Sequence, residues 1–199
     1  LPPELVSIIG DSRLKHSWPI GNVAFSSDGR TIAASSGWPG TVVRLWDAAT
    51  GEEVRSVWQD PGLGDNCVAF SPKGNLLAVG RRDGVCQIWD AANGRLLRTL
   101  AGHTARITRP RFSADGGLLA TPGDDKLIKV WDVSSGRELK TLKGHSSGVL
   151  SVDFHPQGQM LVSGGTNEPV RVWELKTGKE KAKLATSDGR SVCVRFSPN

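Results

Sequence analysis

A tryptophan followed by an acidic residue recurs along this chain at a nearly constant interval. The pairs are Trp46-Asp47, Trp89-Asp90, Trp131-Asp132 and Trp173-Glu174, and the tryptophans lie 43, 42 and 42 residues apart. Phenylalanine keeps the same interval at Phe25, Phe70, Phe112, Phe154 and Phe196. A period of about 20–50 residues is typical of stacked supersecondary units, because one unit cannot bury its apolar face alone. The chain is therefore a row of repeats, and the fold has to be built by stacking them.

Each repeat contains four short apolar or alternating runs, separated by turn sequences. In the second repeat the turn FSPKG (70–74) precedes an apolar run at 76–79, and the polar turn at 82–84 precedes an alternating run that ends at Trp89. The turn AANG (91–94) then leads to a last run at 98–100. Turn signals about ten residues apart are typical of an all-β protein, and no segment has the periodicity of a helix. The repeat therefore predicts a four-stranded antiparallel sheet.

A four-stranded unit with Trp-Asp on its third strand and Gly-His before its first resembles the WD-repeat β-propeller family, in a style similar to the prokaryotic branch. The Gly-His pairs are Gly102-His103 and Gly144-His145, in register with the Trp-acid pairs. The resemblance begins near Val23 and runs to the C-terminus. It implies one propeller domain over residues 1–199, with four complete blades at about 17–58, 59–101, 102–143 and 144–185 and a partial fifth repeat at 186–199.

The resemblance also implies more blades than the four in these residues. Flanking strands are expected near residues 6–14 and 191–196. Most rings of the family resemble seven-bladed discs, and seven blades of ~42 residues need roughly 290 residues. We therefore expect this chain to be part of a longer ring, or to close with a second copy of itself.

The tryptophans indicate a buried hydrogen-bond network within each blade, because a buried indole N–H needs an acceptor. The resemblance implies that a hydroxyl on the second strand, a histidine before the first strand and an acid in the turn complete this network. In the third repeat the members are His103, Thr121, Asp125 and Trp131, and in the fourth they are His145, Ser163, Asn167 and Trp173. The hydroxyl position holds Val79 in the second repeat and Ala34 in the first, so the network is eroded there.

The same histidines invite a catalytic interpretation, but their recurrence at the repeat period favours a structural role in bracing the blade. The predicted inner strands carry Arg109, Arg111, Asp153 and Arg195, and one acid among several bases is not the carboxylate pair of a glycosidase. No GxSxG elbow is present, and no CxxC or HxxxH spacing indicates zinc. We therefore predict no catalytic residues, no metal and no cofactor.

Composition restricts the partners and the compartment. The formal net charge is +5 and no run of five like charges occurs, so a nucleic-acid-binding tail is not indicated. Cys67, Cys86 and Cys193 are an odd number of cysteines, which favours reduced thiols and a cytoplasmic location. No apolar stretch approaches the length that spans a membrane.

The resemblance implies that the loops between strands two and three, and between strand four and the next strand one, gather on one face that docks proteins or peptides. We expect this face to carry Trp18, Trp38, Arg81, Arg82, Arg106, Lys126 and Arg190. Exposed tryptophan with arginine is typical of binding hot spots, and arginine forks fit carboxylate or phosphate, so an acidic or phosphorylated peptide is the hypothesis. The alternatives are that Trp18 and Trp38 pack on each other and that the basic residues form an ordinary solvated rim.

Three function classes follow. The preferred one is a non-catalytic scaffold for protein–protein interaction. The second is a basic propeller surface that contacts nucleic acid, which a steep dependence of binding on salt would reveal. The third is a propeller-fold hydrolase.

Overall fold

The computed structural model of the protein describes residues 20–36, 41–60, 67–185 and 193–197, and these residues form sixteen β-strands and no helix. Blade 1 consists of β1 (Ile20–Phe25), β2 (Thr31–Ser36), β3 (Thr41–Asp47) and β4 (Glu53–Asp60). Blade 2 consists of β5 (Cys67–Phe70), β6 (Leu76–Gly80), β7 (Val85–Asp90) and β8 (Arg95–Ala101). Blade 3 consists of β9 (Arg111–Phe112), β10 (Leu118–Pro122), β11 (Leu127–Asp132) and β12 (Glu138–Lys143). Blade 4 consists of β13 (Val149–Phe154), β14 (Met160–Gly165), β15 (Val170–Glu174) and β16 (Lys179–Leu184).

Each blade is an antiparallel meander in which the strands pair in chain order. The all-β prediction of four-stranded blades is thereby confirmed for the part of the chain described. All four blades share one irregularity, because the pairing of the third and fourth strands shifts at the residue before the tryptophan. A bulge of this kind turns a strand locally and re-aims its side chains. The tryptophan thus has the same local backbone in every repeat.

The acid after each tryptophan caps the turn between the third and fourth strands. The Asp47 carboxylate accepts hydrogen bonds from the N–H groups of Ala49 and Thr50, at 3.0 and 2.8 Å. Asp132 does the same for the N–H of Ser135, at 2.7 Å, and bonds from Ser135 and Ser134 lower the pKa of Asp132 to about 2. The two residues of each tryptophan–acid pair therefore have different roles, since the tryptophan packs in the core and the acid stabilises the turn.

Two boundaries differ from the sequence prediction. Strand β4 continues to Asp60, so the expected blade boundary at residue 58 falls inside a strand. The expected flanking strand at 191–196 is wrong for its described part, since residues 193–197 have no strand assignment. The segment is joined to β13 through a side chain, because the Phe196 N–H donates a hydrogen bond to the Asp153 carboxylate at 2.8 Å. The strand expected near residues 6–14 lies outside the described residues.

The core lies in the seams between consecutive blades. Leu45 and Val57 of blade 1 pack with Leu77 of blade 2. Blades 2 and 3 meet through Cys67, Cys86, Ile88, Leu100, Leu119 and Trp131, and blades 3 and 4 through Ile128, Leu142, Leu161 and Trp173. A smaller buried cluster of Ile32, Ala34, Trp46 and Ala48 lies within blade 1. The three larger clusters join consecutive blades, as expected when a repeat buries its apolar faces against its neighbours.

Some positions that are buried in an inner seam are exposed at the ends of the row, although Trp46 of blade 1 is buried like its equivalents Trp131 and Trp173. Leu100 and Leu142 are 1% and 0% exposed, but the equivalent Leu184 of blade 4 is 52% exposed. On the other side, Val152 is 0% exposed and the equivalent Val23 of blade 1 is 48% exposed. We call the surfaces around Leu184 and Val23 the two end faces. Their side chains have the character of a seam but lack a sheet to pack against among the described residues.

The cysteines are all unpaired. Cys67 and Cys86 are buried, whereas Cys193 is exposed. Burial raises the pKa of the Cys67 thiol to about 12 and raises that of Cys86 as well. Both thiols therefore stay protonated and act as small apolar side chains of the seam between blades 2 and 3.

Candidate functional site: the loop face and the network beneath it

The loops that follow the second and fourth strands meet on one face of the protein, which we call the loop face. The Ile107 N–H donates to the Arg81 carbonyl at 3.0 Å, joining the turn of blade 2 to the loop before blade 3. Within blade 3, the Asp124 N–H donates to the Arg106 carbonyl at 2.9 Å. Gly84 permits the close approach, because its φ is 84° and a Cβ there would lie 2.5 Å from the His103 carbonyl oxygen. Backbone bonds thus fix the positions of the loop tips.

In blade 3 a continuous chain of hydrogen bonds lies beneath this face. The Trp131 indole N–H donates to the Thr121 hydroxyl at 2.8 Å, and that hydroxyl lies 3.0 Å from Nε2 of His103. Nδ1 of His103 lies 2.8 Å from the Asp125 carboxylate, which can only accept when ionised. With the proton on Nδ1, Nε2 accepts from the Thr121 hydroxyl. The structure therefore brings together all four residues that the sequence assigned to this network.

Blade 4 repeats the chain with one replacement. The Trp173 N–H donates to the Ser163 hydroxyl at 2.7 Å, and Nε2 of His145 lies 2.7 Å from the same oxygen. The acid is Glu168, whose Oε2 lies 3.3 Å from Nδ1 of His145. The prediction that Asn167 holds this position is wrong. Asn167 has a φ of 56°, like Lys126 at 71° in blade 3, so it occupies the left-handed corner of the turn.

The Glu168 carboxylate is held in the loop face by several hydrogen bonds and an ion pair. Burial alone would raise its pKa, but bonds from the Ser147 hydroxyl and N–H and from the Ser146 N–H outweigh burial and hold the pKa at about 2. Arg171 adds an ion pair at 3.1 Å. Burial also lowers the pKa of His145. The longer glutamate side chain thus reaches back from one position later and takes over the task of Asp125 in blade 3.

Blade 2 lacks this network, as the sequence indicated. Val79 occupies the hydroxyl position, and the Trp89 indole N–H is buried without a hydrogen-bond partner. Asp83, the acid of this turn, is paired with Arg81 at 2.5 Å. In blade 1, Ala34 and Trp46 are both buried. All four repeats therefore carry the tryptophan, but among the described residues only blades 3 and 4 carry the hydrogen-bond network beside it.

A second repeated contact was missed by the sequence analysis. Two residues before the tryptophan, a basic side chain of the third strand pairs with a glutamate of the fourth. The pairs are Arg44–Glu53 at 3.2 Å, Lys129–Glu138 at 2.8 Å, and Arg171–Glu180. In blade 2 the basic residue is replaced by Gln87, whose Oε1 is buried without a partner. The sequence could have revealed these pairs, because the basic residue and the glutamate each lie at a fixed distance from the tryptophan.

The chemistry open to the buried histidines is limited by access. The side chains of His103 and His145 are fully buried, and Thr121 and Ser163 lie in the interior. Each hydroxyl already accepts a bond from a tryptophan indole. Within the described residues, no three His, Cys, Asp or Glu side chains are grouped to hold a metal ion. The described part of the chain also has no helix long and apolar enough to cross a membrane.

The predicted partner-binding residues differ in how free they are. Arg81 is paired with Asp83, and Nε of Arg106 donates to Asp124 at 2.9 Å. Arg82 and Lys126 are exposed at the tips of neighbouring turns, with no ion pair to another described residue. The remaining predicted residues are Trp18, Trp38 and Arg190, which lie outside the described residues. The acids Asp83 and Asp124, which the sequence analysis did not weigh, make the loop face a mixed-charge surface.

Four blades of this topology, each braced from tryptophan to hydroxyl or packed at the same seam, define a β-propeller built from Trp-acid repeats. The family model described as "WD domain, G-beta repeat" matches residues 12–47, 64–90, 94–132 and 136–174. These segments make up more than half of the chain, and the chain therefore belongs to the WD40 repeat family.

Several curated proteins are similar to parts of this chain. A guanine nucleotide-binding protein subunit beta of Nicotiana tabacum is 35% identical over 101 residues, which are 47% of this chain and 26% of that protein. The Arabidopsis thaliana protein "Cell division cycle 20.1, cofactor of APC complex" is 40% identical over 67 residues, 33% of this chain and 15% of that protein. A probable serine/threonine-protein kinase of Thermomonospora curvata, PkwA, is 57% identical over 37 residues, 19% of this chain and 5% of that protein. The chain thus spans about a quarter or less of the length of these relatives.

Replacing Glu168 by glutamine should make the protein less stable at neutral pH and less sensitive to acid. The depressed pKa means that Glu168 contributes stability that is fully present above its unfolded pKa near 4.5 and is lost as the pH falls towards 2. The shift corresponds to roughly 3 kcal/mol, so the free energy of unfolding of Glu168→Gln should be lower by up to about that amount at pH 7. Urea unfolding followed by tryptophan fluorescence between pH 7 and pH 3 measures both curves.

Two controls test the assignment of the acid. Glu52→Gln makes the same chemical change at an exposed turn and should leave the pH dependence as it is. Asn167→Gly suits a positive φ and should be tolerated. A stability difference for Glu168→Gln that does not shrink as the pH falls would contradict the role given to its charge.

Restoring the missing hydroxyl in blade 2 should stabilise the protein. Val79 faces Gln87 across the strands as Thr121 faces Lys129, so Val79→Thr places a hydroxyl within reach of the orphaned Trp89 N–H. We expect the free energy of unfolding to rise by up to about 1 kcal/mol, measured by urea denaturation. The matched control is Val68→Thr, a buried valine of the seam, where an added hydroxyl should lower stability by about 1–2 kcal/mol. Equal losses in both variants would show that the indole gains no acceptor.

Proposed function

We propose that this chain is a non-catalytic interaction platform that binds a partner protein or peptide on its loop face. The observation that carries the proposal is the placement of the His–hydroxyl–acid clusters. They are closed off in the interior and hold the tryptophans in place, so the loop tips above them are rigid and the reactive groups are inaccessible. A rigid, pre-positioned surface suits binding, because little loop entropy is lost when a partner docks.

The relatives support the same class of function. One bears the name of a G-protein beta subunit and another that of a cofactor of a complex, both of which describe members of protein assemblies. A fold alone would not indicate function, but the repeat family and the closed networks point in one direction.

The partner that we propose is an acidic peptide segment. Arg82 and Lys126 are exposed cations on adjacent turns, and either can meet a carboxylate or a phosphate. Asp83 and Asp124 lie beside them and would repel a dense polyanion. The surface therefore favours a peptide with one or two acidic groups over a nucleic acid backbone, whose binding requires many unopposed cations. Trp18, Trp38 and Arg190 remain proposed contributors to the same face.

A peptide library displayed on phage and selected on the immobilised chain tests this proposal. We expect the recovered peptides to be rich in Asp and Glu, and a synthetic peptide from the selection to bind at least tenfold more weakly to the double variant Arg82→Glu, Lys126→Glu. The matched control is Lys179→Glu with Lys181→Glu on the exposed strand β16, which should bind normally. Selected peptides without acidic enrichment, or equal losses in both double variants, would refute the loop-face assignment.

We also propose that the two end faces drive self-association when no further blade covers them. Burying Leu184 as its equivalents are buried would gain about 2 kcal/mol of hydrophobic free energy, with Val23 adding a similar amount on the opposite end face. A head-to-tail contact between copies would reproduce the seam that joins the blades within one chain.

Light scattering during size-exclusion chromatography at tens of micromolar measures this directly. The chain of 21.3 kDa should show a concentration-dependent higher mass, and Leu184→Lys should lower it towards that of one chain. The same leucine-to-lysine change at the exposed Leu96 of β8, away from the end faces, is the control. A mass of one chain at every concentration would rule out self-association through these faces.

We propose that the protein works in a reducing compartment such as the cytoplasm. The support is that all three cysteines are unpaired, including the exposed Cys193, which an oxidising compartment would leave open to disulfide exchange.

A further inference from the structure

The phenylalanines that mark the repeat line a cavity on the side opposite the loop face. The cavity has a volume of about 680 Å³ and is lined by Phe25, Phe70, Phe112, Phe154 and Phe196, one from each repeat. The first four phenylalanines each end an inner strand, where the chain enters the turn between the first and second strands, and Phe196 lies in the last described segment. Because the 1–2 turns lie at the opposite end of the blade from the 2–3 turns, this cavity is separate from the surface proposed above for the partner.

Two charged residues, Arg111 and Asp153, line the cavity beside the phenylalanines. The residue before the phenylalanine is Ala24 in blade 1 and Ala69 in blade 2. It is Arg111 in blade 3 and Asp153 in blade 4, followed by Arg195 in the last segment. The charges of Arg195 and Asp153 both act on Arg111, and of these three residues Arg111 and Asp153 line the cavity.

The three charged side chains are not equally occupied. Asp153 already accepts a bond from the Phe196 N–H at 2.8 Å. Arg195 donates to its neighbouring Val194 carbonyl at 2.6 Å and approaches the Ser151 hydroxyl at 3.4 Å. Arg111 is half-buried and makes no hydrogen bond or ion pair with its side chain to the described residues. Burial lowers the pKa of Arg111 and the charge of Arg195 lowers it further, whereas the carboxylate of Asp153 acts in the opposite direction and only partly compensates. An added anion would therefore stabilise the charged guanidinium further.

We propose that this cavity binds a small amphiphilic anion, with an apolar body against the phenylalanines and a carboxylate or sulfonate on the free guanidinium of Arg111. The lining phenylalanines offer apolar contacts, with Phe25 the more exposed and Phe112 and Phe154 largely buried, and the guanidinium offers paired N–H donors that match the oxygens of such a group. The volume lies within the range of about 300–1,000 Å³ that is typical of sites for drug-sized ligands. Inorganic phosphate would leave the aromatic wall without a partner.

Anilinonaphthalene sulfonate is a suitable probe, because it joins an aromatic body to one sulfonate and fluoresces when bound. Phenylnaphthylamine is its uncharged counterpart. We expect Arg111→Gln to weaken binding of the sulfonate at least tenfold and to change binding of the amine by less than twofold. Arg82→Gln, the same substitution on the loop face, should leave both unchanged. Fluorescence titration of the 199-residue chain measures all of these affinities.

A reciprocal variant guards against an effect of folding. Asp153→Asn keeps an acceptor for the Phe196 N–H but removes the negative charge, so it should tighten binding of the sulfonate severalfold and leave the amine unaffected. Leu184→Lys tests whether the probe instead binds an end face, in which case this variant alone would weaken both probes. The inference is overturned if Arg111→Gln affects neither probe or both equally, or if Asp153→Asn does not strengthen sulfonate binding. None of these outcomes bears on the loop-face proposal.

Discussion

The buried hydrogen bond from a tryptophan indole to a hydroxyl of the neighbouring strand is the interaction on which blades 3 and 4 depend. It fixes the third strand to the second and orients the tryptophan toward the preceding blade, where Trp131 and Trp173 enter the seams. The hydroxyl is hydrogen-bonded to a histidine, and the histidine is hydrogen-bonded or ion-paired with an acid. The same series of contacts therefore also anchors the loop above it. Core packing and loop position are therefore set by one connected group of buried polar atoms, which is stabilising only when every member is satisfied.

Because this interaction is unevenly distributed, the blades differ in how many of their buried polar groups are hydrogen-bonded. Blades 3 and 4 carry the complete chain together with a basic–glutamate pair, whereas blade 2 has neither. Its Trp89 N–H and Gln87 Oε1 are buried without partners, and each such group costs about 1–3 kcal/mol. In a repeat protein, stability is close to a sum over units and seams, so a weak unit can be held by its neighbours. Blade 2 is held in this way by the apolar seams on both of its sides.

The two faces of the protein divide its binding capacity by chemistry. The loop face is polar, with exposed cations next to acids and a backbone fixed by bonds between loops. The cavity on the opposite side is lined by phenylalanines together with the charged residues Arg111 and Asp153. One repeat can form both surfaces, because the residues at one end of a strand vary independently of those at the other end.

The sequence by itself determined the repeat and the four strands of each blade, because turn glycines and periodic side chains act locally. The tryptophan–hydroxyl–histidine sets followed from the resemblance of the repeats to the WD-repeat family. The sequence also revealed the erosion at Val79, since one missing hydroxyl is visible in a single alignment of the repeats. Only the tertiary structure decided which acid faces His145, because a glutamate one position later reaches the same point as an aspartate. It also decided that Arg81 and Arg106 are paired and that five distant phenylalanines enclose one cavity. These outcomes depend on side-chain reach and on distances between blades, which spacing along the chain does not encode.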